Sequence, residues 1–133
     1  MSIKKVIEKI KSNKSFLITA HTNLEGDALG SEMAFYNLLS KLNKRSLIVN
    51  EDPVPYPYQF LPGLKKVRPY KMFLRNKPDF DCFVVLDCSD LQRTGEVYRL
   101  NSENKPIINI DHHISNLMFG DVNWVEPNSH PRT

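Results

Sequence analysis

The sequence predicts an α/β fold, a parallel sheet with crossover helices on both faces. Short apolar runs rich in β-branched residues alternate with segments of helical periodicity, the order typical of parallel strands joined by helices. Three of these runs end abruptly at a side chain of a metal-ligating type, at His21, Asp87 and Asp111. Because the carboxyl ends of parallel strands meet at one edge of a sheet, these three side chains are expected to lie at one site.

The apolar pattern places the individual elements. Ile3, Val6, Ile7 and Ile10 repeat at helical spacing between lysines, which predicts a surface helix. About four strands are expected, at 16–20, 46–50, 82–86 and 106–111, with a long helix over 28–42. A short helix at 72–74, a helix over 91–100 capped by Ser89 or Asp90, and a packed proline-rich loop over 51–63 complete the prediction. No fifth strand is expected after Asp111.

The bulk properties are those of one soluble domain. The chain has 133 residues, 41% of them hydrophobic, and a net charge of +3, which favours an anionic ligand without indicating nucleic-acid binding. No apolar run approaches the roughly 18 residues that span a bilayer, so no membrane association is expected and a cytoplasmic location is the default. Cys82 and Cys88 would lie about 20 Å apart along one extended strand, which excludes a disulfide between them.

Seven potential ligands occur at or near the predicted strand ends: His21, Glu25, Asp27, Asp87, Asp111, His112 and His113. Carboxylates and imidazoles without a thiolate favour manganese, magnesium or zinc, with Mn2+ or Mg2+ preferred by the share of oxygen. Several carboxylates at one point repel one another, and a cation relieves that repulsion. Two metals that share one carboxylate suit phosphoester hydrolysis, because they activate water and stabilise the displaced oxygens.

Each of these elements has a simpler interpretation by itself. An aspartate after a strand, as at Asp87, is more often a helix cap, and a lone histidine such as His21 is more often a surface residue. Glu25 and Asp27 could serve a turn and a helix start. However, three of the four histidines fall at strand ends together with acids, which favours a shared site.

Three segments, in order, resemble the DHH phosphoesterase superfamily, which is named for its Asp-His-His motif. Residues 21–31 are similar to the family's first motif, residues 85–90 to its strand-terminal acid, and residues 110–116 to its third motif. Residues 53–55 and 60–63 resemble the branch of bacterial oligoribonucleases and 3′-phosphoadenosine-5′-phosphate phosphatases. Leu24 and Glu25 stand where the family has Pro-Asp, and the extra methylene of glutamate can move a ligand oxygen by about an ångström.

The resemblance implies a hydrolase that acts on phosphoester bonds of short oligonucleotides or of 3′-phosphoadenosine-5′-phosphate with two Mn2+ ions, Mg2+ being an alternative. One ion would be held by His21, Glu25 and Asp87, and the second by Asp27, Asp87 and His112. His113 and Asn116 would contact the substrate phosphate, with His113 also taking part in catalysis. Asp111 would orient the histidines.

The same resemblance bears on the extent of the domain. Residues 1–133 are expected to form a single partial domain that lacks the family's fourth motif and its substrate-binding lobe, and residues 128–133 do not resemble what usually follows. Two alternatives stay open: a silent scaffold that binds only metal or phosphate, and a pyrophosphatase or cyclic-dinucleotide phosphodiesterase of the same superfamily. A homodimer is possible.

Overall fold

The computed structural model describes residues 3–59, 63 and 66–127. Within these described residues, two α-helices, α1 (Ile3–Ser12) and α2 (Gly26–Lys41), accompany one sheet of six parallel strands. The strands are β1 (Ser15–Ala20), β2 (Arg45–Asn50), β3 (Val67–Pro69), β4 (Cys82–Leu86), β5 (Ile107–Asp111) and β6 (Val122–Val125). The α/β class is therefore confirmed. Residues 60–62 belong to the stretch that resembles one branch of the superfamily, and residues 128–133 are those that do not resemble what usually follows. Both segments lie outside the described residues.

The order of the strands determines where a ligand can bind. Across the sheet they run β3-β2-β1-β4-β5-β6, and every neighbouring pair is parallel. The chain thus adds β2 and then β3 on one side of β1. It then crosses back to place β4 on the other side of β1 and adds β5 and β6 beyond β4. Sheets of this kind bind ligands beyond the carboxyl ends of the strands where the direction reverses. His21 follows β1 and Asp87 follows β4, so both lie at this point.

The sheet has six strands where the sequence predicts about four, and no fifth strand was expected after Asp111. Both additional strands are edges. β3 is three residues long and contains Pro69, which an edge strand tolerates because one side needs no hydrogen bond. β6 pairs in parallel with β5, yet residues 112–121 between them contain no helix. The strand–helix–strand pattern used for the prediction is therefore missing there.

The two faces of the sheet are covered differently. Phe16, Ile18 and Val84 point to the face on which α1 and α2 pack, while Leu17 and Phe83 point to the other. Apolar residues on both sides of a strand are expected for a buried parallel sheet. The second face is covered by short 3₁₀-helices at Tyr70–Phe73, Leu91–Thr94 and Val97–Leu100.

The single helix expected over 91–100 is therefore two 3₁₀-helices. Gly95 lies between them with a φ of +76°, in the left-handed region that glycine adopts readily and that ends a helix. A Cβ at Gly95 would lie 2.6 Å from Oε1 of Glu51, so the packing also requires glycine. The break places residues 91–94 directly over the loop that follows β1.

The expectations for the two cysteines and for the proline-rich loop are confirmed in the described residues. Cys82 and Cys88 are free and buried, and burial raises the pKa of each thiol to about 12, which keeps both protonated. Val54 and Tyr58 of the proline-rich loop pack on the core, although Tyr56 is 78% exposed. None of the described helices is long and apolar enough to cross a membrane.

One buried acid has no counterpart in the predictions. Glu32 of α2 is completely buried; its Oε1 accepts a hydrogen bond of 2.9 Å from Nδ2 of Asn50, and its Oε2 has no partner among the described residues. Burial raises the pKa of Glu32 from 4.5 to about 8, against the smaller effect of the Asn50 bond. Glu32 is therefore neutral at pH 7.

This acid should make stability depend on pH. Between its unfolded pKa of 4.5 and its folded pKa of about 8, only the folded state holds the proton, so the free energy of unfolding falls as pH rises through this window. Glu32→Gln mimics the neutral acid and should raise that free energy by a few kcal/mol at pH 9, with little change at pH 5. Thermal unfolding at both pH values checks this, with the exposed Glu8→Gln as control. An equal effect of Glu32→Gln at the two pH values would contradict it.

Candidate metal centre

Asp87 sits at the point where the direction of the sheet reverses, with an unusual backbone. Its φ is +54°, and its N–H donates a hydrogen bond of 3.0 Å to the carbonyl of Ile110 on the neighbouring strand. Few residues other than glycine adopt this region, although aspartate is among those that do so most often. Such conformations cost about 1–3 kcal/mol and cluster at functional sites. The backbone of Asp87 is thus held in place by the strand pairing itself.

Two imidazoles approach the two different oxygens of the Asp87 carboxylate. Nε2 of His21 lies 3.7 Å from Oδ2, and Nδ1 of His112 lies 3.2 Å from Oδ1. Oδ1 is buried and has no hydrogen-bond partner among the described residues, since the close nitrogen of His112 lacks the geometry for one. Ligands about 2.0–2.2 Å from one cation lie roughly 3–4 Å from each other. Each of the two separations therefore suits a cation held between that histidine and Asp87.

The tautomer of His21 also suits a ligand. Its Nδ1 lies 2.5 Å from the carbonyl oxygen of Thr22. Because a carbonyl can only accept, Nδ1 carries the proton and Nε2, which faces Asp87, carries the lone pair in the neutral ring. A backbone acceptor on the distal nitrogen is the usual way in which a protein orients a ligating histidine.

Asp111 is the buried acid that directly precedes the two adjacent histidines, His112 and His113. Its side chain is 0% exposed, its Oδ1 accepts a hydrogen bond of 2.7 Å from Nδ1 of His113, and its Oδ2 accepts one of 2.9 Å from Asn116. The rings of His112 and His113 stack with their centroids 4.5 Å apart. This is the geometry expected of an orienting carboxylate, although the role itself stays a prediction.

The residues present fit a divalent cation. Ligand atoms of Asp87, Asp111, His112 and His113 all lie within 4.8 Å of one another, and they are imidazole nitrogens and carboxylate oxygens. This donor set suits Mn2+, Zn2+ and related ions. The unpartnered Oδ1 of Asp87 is the oxygen that a cation would satisfy.

Glu25 and Asp27 lie outside this cluster of described residues. Glu25 occupies the N-cap position of α2, but its side chain makes no capping hydrogen bond, which leaves the carboxylate available beside His21. Asp27 is exposed in the first turn of the helix. Leu24, the other departure from the family pattern, is 7% exposed and packs with Ala28 and Leu29. The ligand roles of Glu25 and Asp27 stay predictions.

Comparison with known proteins decides the family. A model of the DHH family, N-terminal domain, matches residues 15–132. The chain belongs to the DHH family. A Thermus thermophilus protein named bifunctional oligoribonuclease and PAP phosphatase NrnA is 32% identical over 110 residues. That alignment covers 83% of this chain and 31% of the relative, so this chain spans about a third of the relative's length.

The fold of the DHH domain is also found in a solved structure. The crystal structure of an exopolyphosphatase-related protein from Bacteroides fragilis superposes with a TM-score of 0.83 and 22% identity. The match covers 92% of this chain and 38% of that one. At this identity the likeness supports the fold alone. Membership of the DHH family itself rests on the family model and on the NrnA relative.

Asp87 of the DHH domain belongs to the walls of two neighbouring cavities. One, which we call the His21 cavity, is lined by His21, Glu25, Asp87 and His113 together with Thr22, Asn23, Cys88, Ser89, Arg93 and Ser115. The other, the His112 cavity, is lined by Asp87 and His112 together with Ser31, Leu86, Ile110, Asp111, Trp124 and Glu126. The Asp87 carboxylate thus belongs to both cavities. His21 and His113 lie on the wall of one of them, and His112 lies on the wall of the other.

A buried hydrogen-bond network that the sequence pattern did not predict lies beneath the third motif. Asn109 of β5 is 0% exposed, and its Nδ2 donates hydrogen bonds of 2.8 Å to the side-chain oxygens of both Asn116 and Asn123. Asn116 in turn donates to Asp111. The available signal was a polar residue at an alternate position of an apolar strand, which indicates a buried hydrogen bond.

Removing the centre of this network should destabilise the domain. Asn109→Ala leaves a cavity and deprives Asn116 and Asn123 of a buried donor, so the free energy of unfolding should fall by about 1–3 kcal/mol. Urea unfolding measures the change, and Asn76→Ala, an exposed asparagine, is the matched control. A loss no larger than that of the control would show that the network carries no stability.

Proposed function

We propose that this chain forms the metal-binding part of a phosphoesterase that cleaves short oligoribonucleotides or 3′-phosphoadenosine-5′-phosphate by a two-metal reaction. The observation that carries the proposal is the Asp87 carboxylate at the point where the sheet reverses. Its two oxygens face His21 and His112 separately, and one of them is buried without a hydrogen bond. A carboxylate shared between two cations is the simplest arrangement that satisfies both oxygens.

The ligand sets follow from this arrangement. We assign one cation to His21, Glu25 and Asp87, all of which line the His21 cavity. We assign the second to Asp87 and His112, with Asp27 as the predicted third ligand. When bound, the pair would supply an activated water and positive charge for the displaced oxygens. Mn2+ is proposed as the resident ion, because the donor set mixes carboxylates with imidazoles.

His113 and its partners act on the substrate. Asp111 holds the proton on Nδ1 of His113, at 2.7 Å, which leaves Nε2 as the atom that meets a phosphate oxygen or the leaving group. The His113 side chain is 44% exposed and lines the His21 cavity, so a substrate phosphate can reach it. Asn116, which is predicted to contact the substrate phosphate, has its amide engaged by the Asp111 carboxylate and by the carbonyl of Cys88, so we propose that it positions Asp111.

The substrate class is proposed from the relative. The Thermus protein is named for oligoribonuclease and PAP phosphatase activities, and the family model matches residues 15–132 of this chain, which include all three motifs. The net charge of +3 suits an anionic substrate. Such substrates and the free thiols of Cys82 and Cys88 fit a cytoplasmic location, which we infer for the chain.

The test is hydrolysis by the purified chain. A 5′-phosphorylated diadenylate, 3′-phosphoadenosine-5′-phosphate and pyrophosphate are offered separately with Mn2+ and with excess chelator. We expect Mn2+-dependent release of adenosine 5′-monophosphate from the first two substrates and no release of inorganic phosphate from pyrophosphate. Calorimetric titration of Mn2+ into the same sample counts the bound ions.

The other outcomes separate the alternatives. Turnover of pyrophosphate alone would identify a pyrophosphatase of the same superfamily. Bound Mn2+ without any turnover would identify a scaffold that binds metal and does not catalyse. Turnover that persists in chelator would contradict the metal-dependent mechanism.

A further inference from the structure

We propose that Arg93 binds a non-bridging oxygen of the substrate phosphate in the His21 cavity, on the side of Asp87 that faces His21 and Glu25. The inference rests on the proposed function, since it names a substrate contact of the same site. It adds a substrate-binding residue that lies outside all three motifs. It also specifies which of the two cavities receives the phosphate.

The first observation is position. Arg93 lines the His21 cavity together with His21, Glu25, Asp87 and His113. Among the described residues that line this cavity or the His112 cavity, Arg93 is the only arginine or lysine. The acids of the His21 cavity would repel a phosphate, and a cation on its wall offsets that repulsion.

The second observation is that the backbone of Arg93 is fixed relative to His21. The carbonyl of Arg93 accepts a hydrogen bond of 2.7 Å from the N–H of Thr22, the residue that follows His21. The N–H of Arg93 donates to the carbonyl of Asp90 at 2.9 Å, and the next residue, Thr94, is fully buried. Binding groups on a fixed base lose less freedom when they meet a ligand.

The third observation is that the guanidinium has no competing role. Among the described residues, the Arg93 side chain makes no hydrogen bond and no ion pair, whereas Arg99 is held by Glu96 at 2.7 Å and lies over the ring of Tyr98. Arg93 also shares the wall of the His21 cavity with Cys88, the residue that follows Asp87.

The chemistry of these groups points to a phosphate. A guanidinium presents a planar set of donors that matches two phosphate oxygens, and such charge-assisted bonds are the stronger kind. The hydroxyls of Ser89 and Ser115 on the same wall can donate further bonds. Among the residues that the structure describes, the wall of the His112 cavity has no such cation and includes Leu86, Ile110 and Trp124.

Three variants test the inference. Arg93→Gln removes the charge, Arg93→Lys keeps it without the planar donors, and Arg99→Gln removes a charge of the same kind away from the cavity. Calorimetry measures the affinity of each purified chain for adenosine 5′-monophosphate, for inorganic phosphate and for adenosine, all in Mg2+, and the affinity for Mn2+ itself. Thermal unfolding confirms that each variant is folded.

We expect Arg93→Gln to weaken the binding of adenosine 5′-monophosphate about 10- to 100-fold, with a smaller loss in Arg93→Lys and less than about 2-fold in Arg99→Gln. Mn2+ affinity should stay within about 2-fold in all three. A parallel loss for inorganic phosphate shows that the phosphate group is the ligand, and a loss confined to the nucleotide shows that Arg93 contacts the nucleoside, which would overturn the inference.

Three results would overturn the inference, and they differ in what they mean for the proposed function. If the native chain hydrolyses the dinucleotide and Arg93→Gln binds phosphate as tightly as the native chain, the inference is wrong and the proposed function stands. If Arg93→Gln and Arg99→Gln lose affinity equally, the effect is one of overall charge and the inference is wrong. If the native chain binds Mn2+ but neither hydrolyses the dinucleotide nor binds phosphate or nucleotide, both fail together.

Discussion

Asp87→Asn is expected to lower the hydrolytic rate by at least about 1000-fold and to weaken Mn2+ binding by at least about 10-fold. Asparagine keeps the size of the side chain and removes its charge. It replaces one oxygen by a nitrogen that cannot ligate, so the oxygens facing His21 and His112 can no longer both hold a cation. Loss of transition-state stabilisation by several kcal/mol corresponds to this change in rate.

The control for this experiment lies three residues further along the chain. Asp90→Asn makes the same change of charge at a carboxylate whose Oδ1 caps the 3₁₀-helix Leu91–Thr94 through the N–H of Gln92, and asparagine is an equally good cap. It should leave both rate and Mn2+ affinity within about 2-fold. Hydrolysis in Asp87→Asn at the native rate would place the activity elsewhere.

His113→Ala should lower the hydrolytic rate by about 100- to 10,000-fold, the range expected for loss of a general acid or base, and should leave Mn2+ affinity nearly unchanged. The reason is that Nδ1 of His113 is committed to Asp111 at 2.7 Å, so the ring is oriented for a substrate and not for Asp87. Calorimetry and steady-state kinetics on one preparation give the two readouts.

His112→Ala is the matched comparison, because its ring stacks on that of His113 and lies 3.2 Å from Oδ1 of Asp87. It should weaken Mn2+ binding directly. His113 also belongs to the compact cluster of possible ligands. Loss of a bound ion in His113→Ala would therefore make His113 a ligand and refute its assignment to the substrate.

The centre of the fold could be predicted from the sequence and its edges could not. β1 and β4 are apolar on both sides because both faces of the sheet are covered there, and this gives continuous apolar runs with clear ends. β3 and β6 are short edges with polar or proline residues, and their pairing depends on neighbours distant in sequence. Local pattern carries little information about such strands.

The candidate site divides in the same way. His21, Asp87 and Asp111–His113 could be brought together because chain order in a parallel sheet places strand ends at one edge. The positions of Asn109 and Arg93 at the site could not be predicted, because the contacts of Asn109 depend on how residues 112–121 turn and those of Arg93 on how residues 91–95 turn. The left-handed backbone at Met118 and Gly95, which lie within these turns, leaves no periodic signal.

The shared role of Asp87 is tested most directly by electron paramagnetic resonance of the purified chain with two equivalents of Mn2+. Two ions that share a carboxylate are magnetically coupled, so we predict the multiline spectrum of a coupled pair, which disappears in Asp87→Asn and persists in Asp90→Asn. A spectrum of isolated Mn2+ in the native chain, with two ions bound by calorimetry, would contradict the account. The two ions would then lie apart, and Asp87 would bind at most one of them.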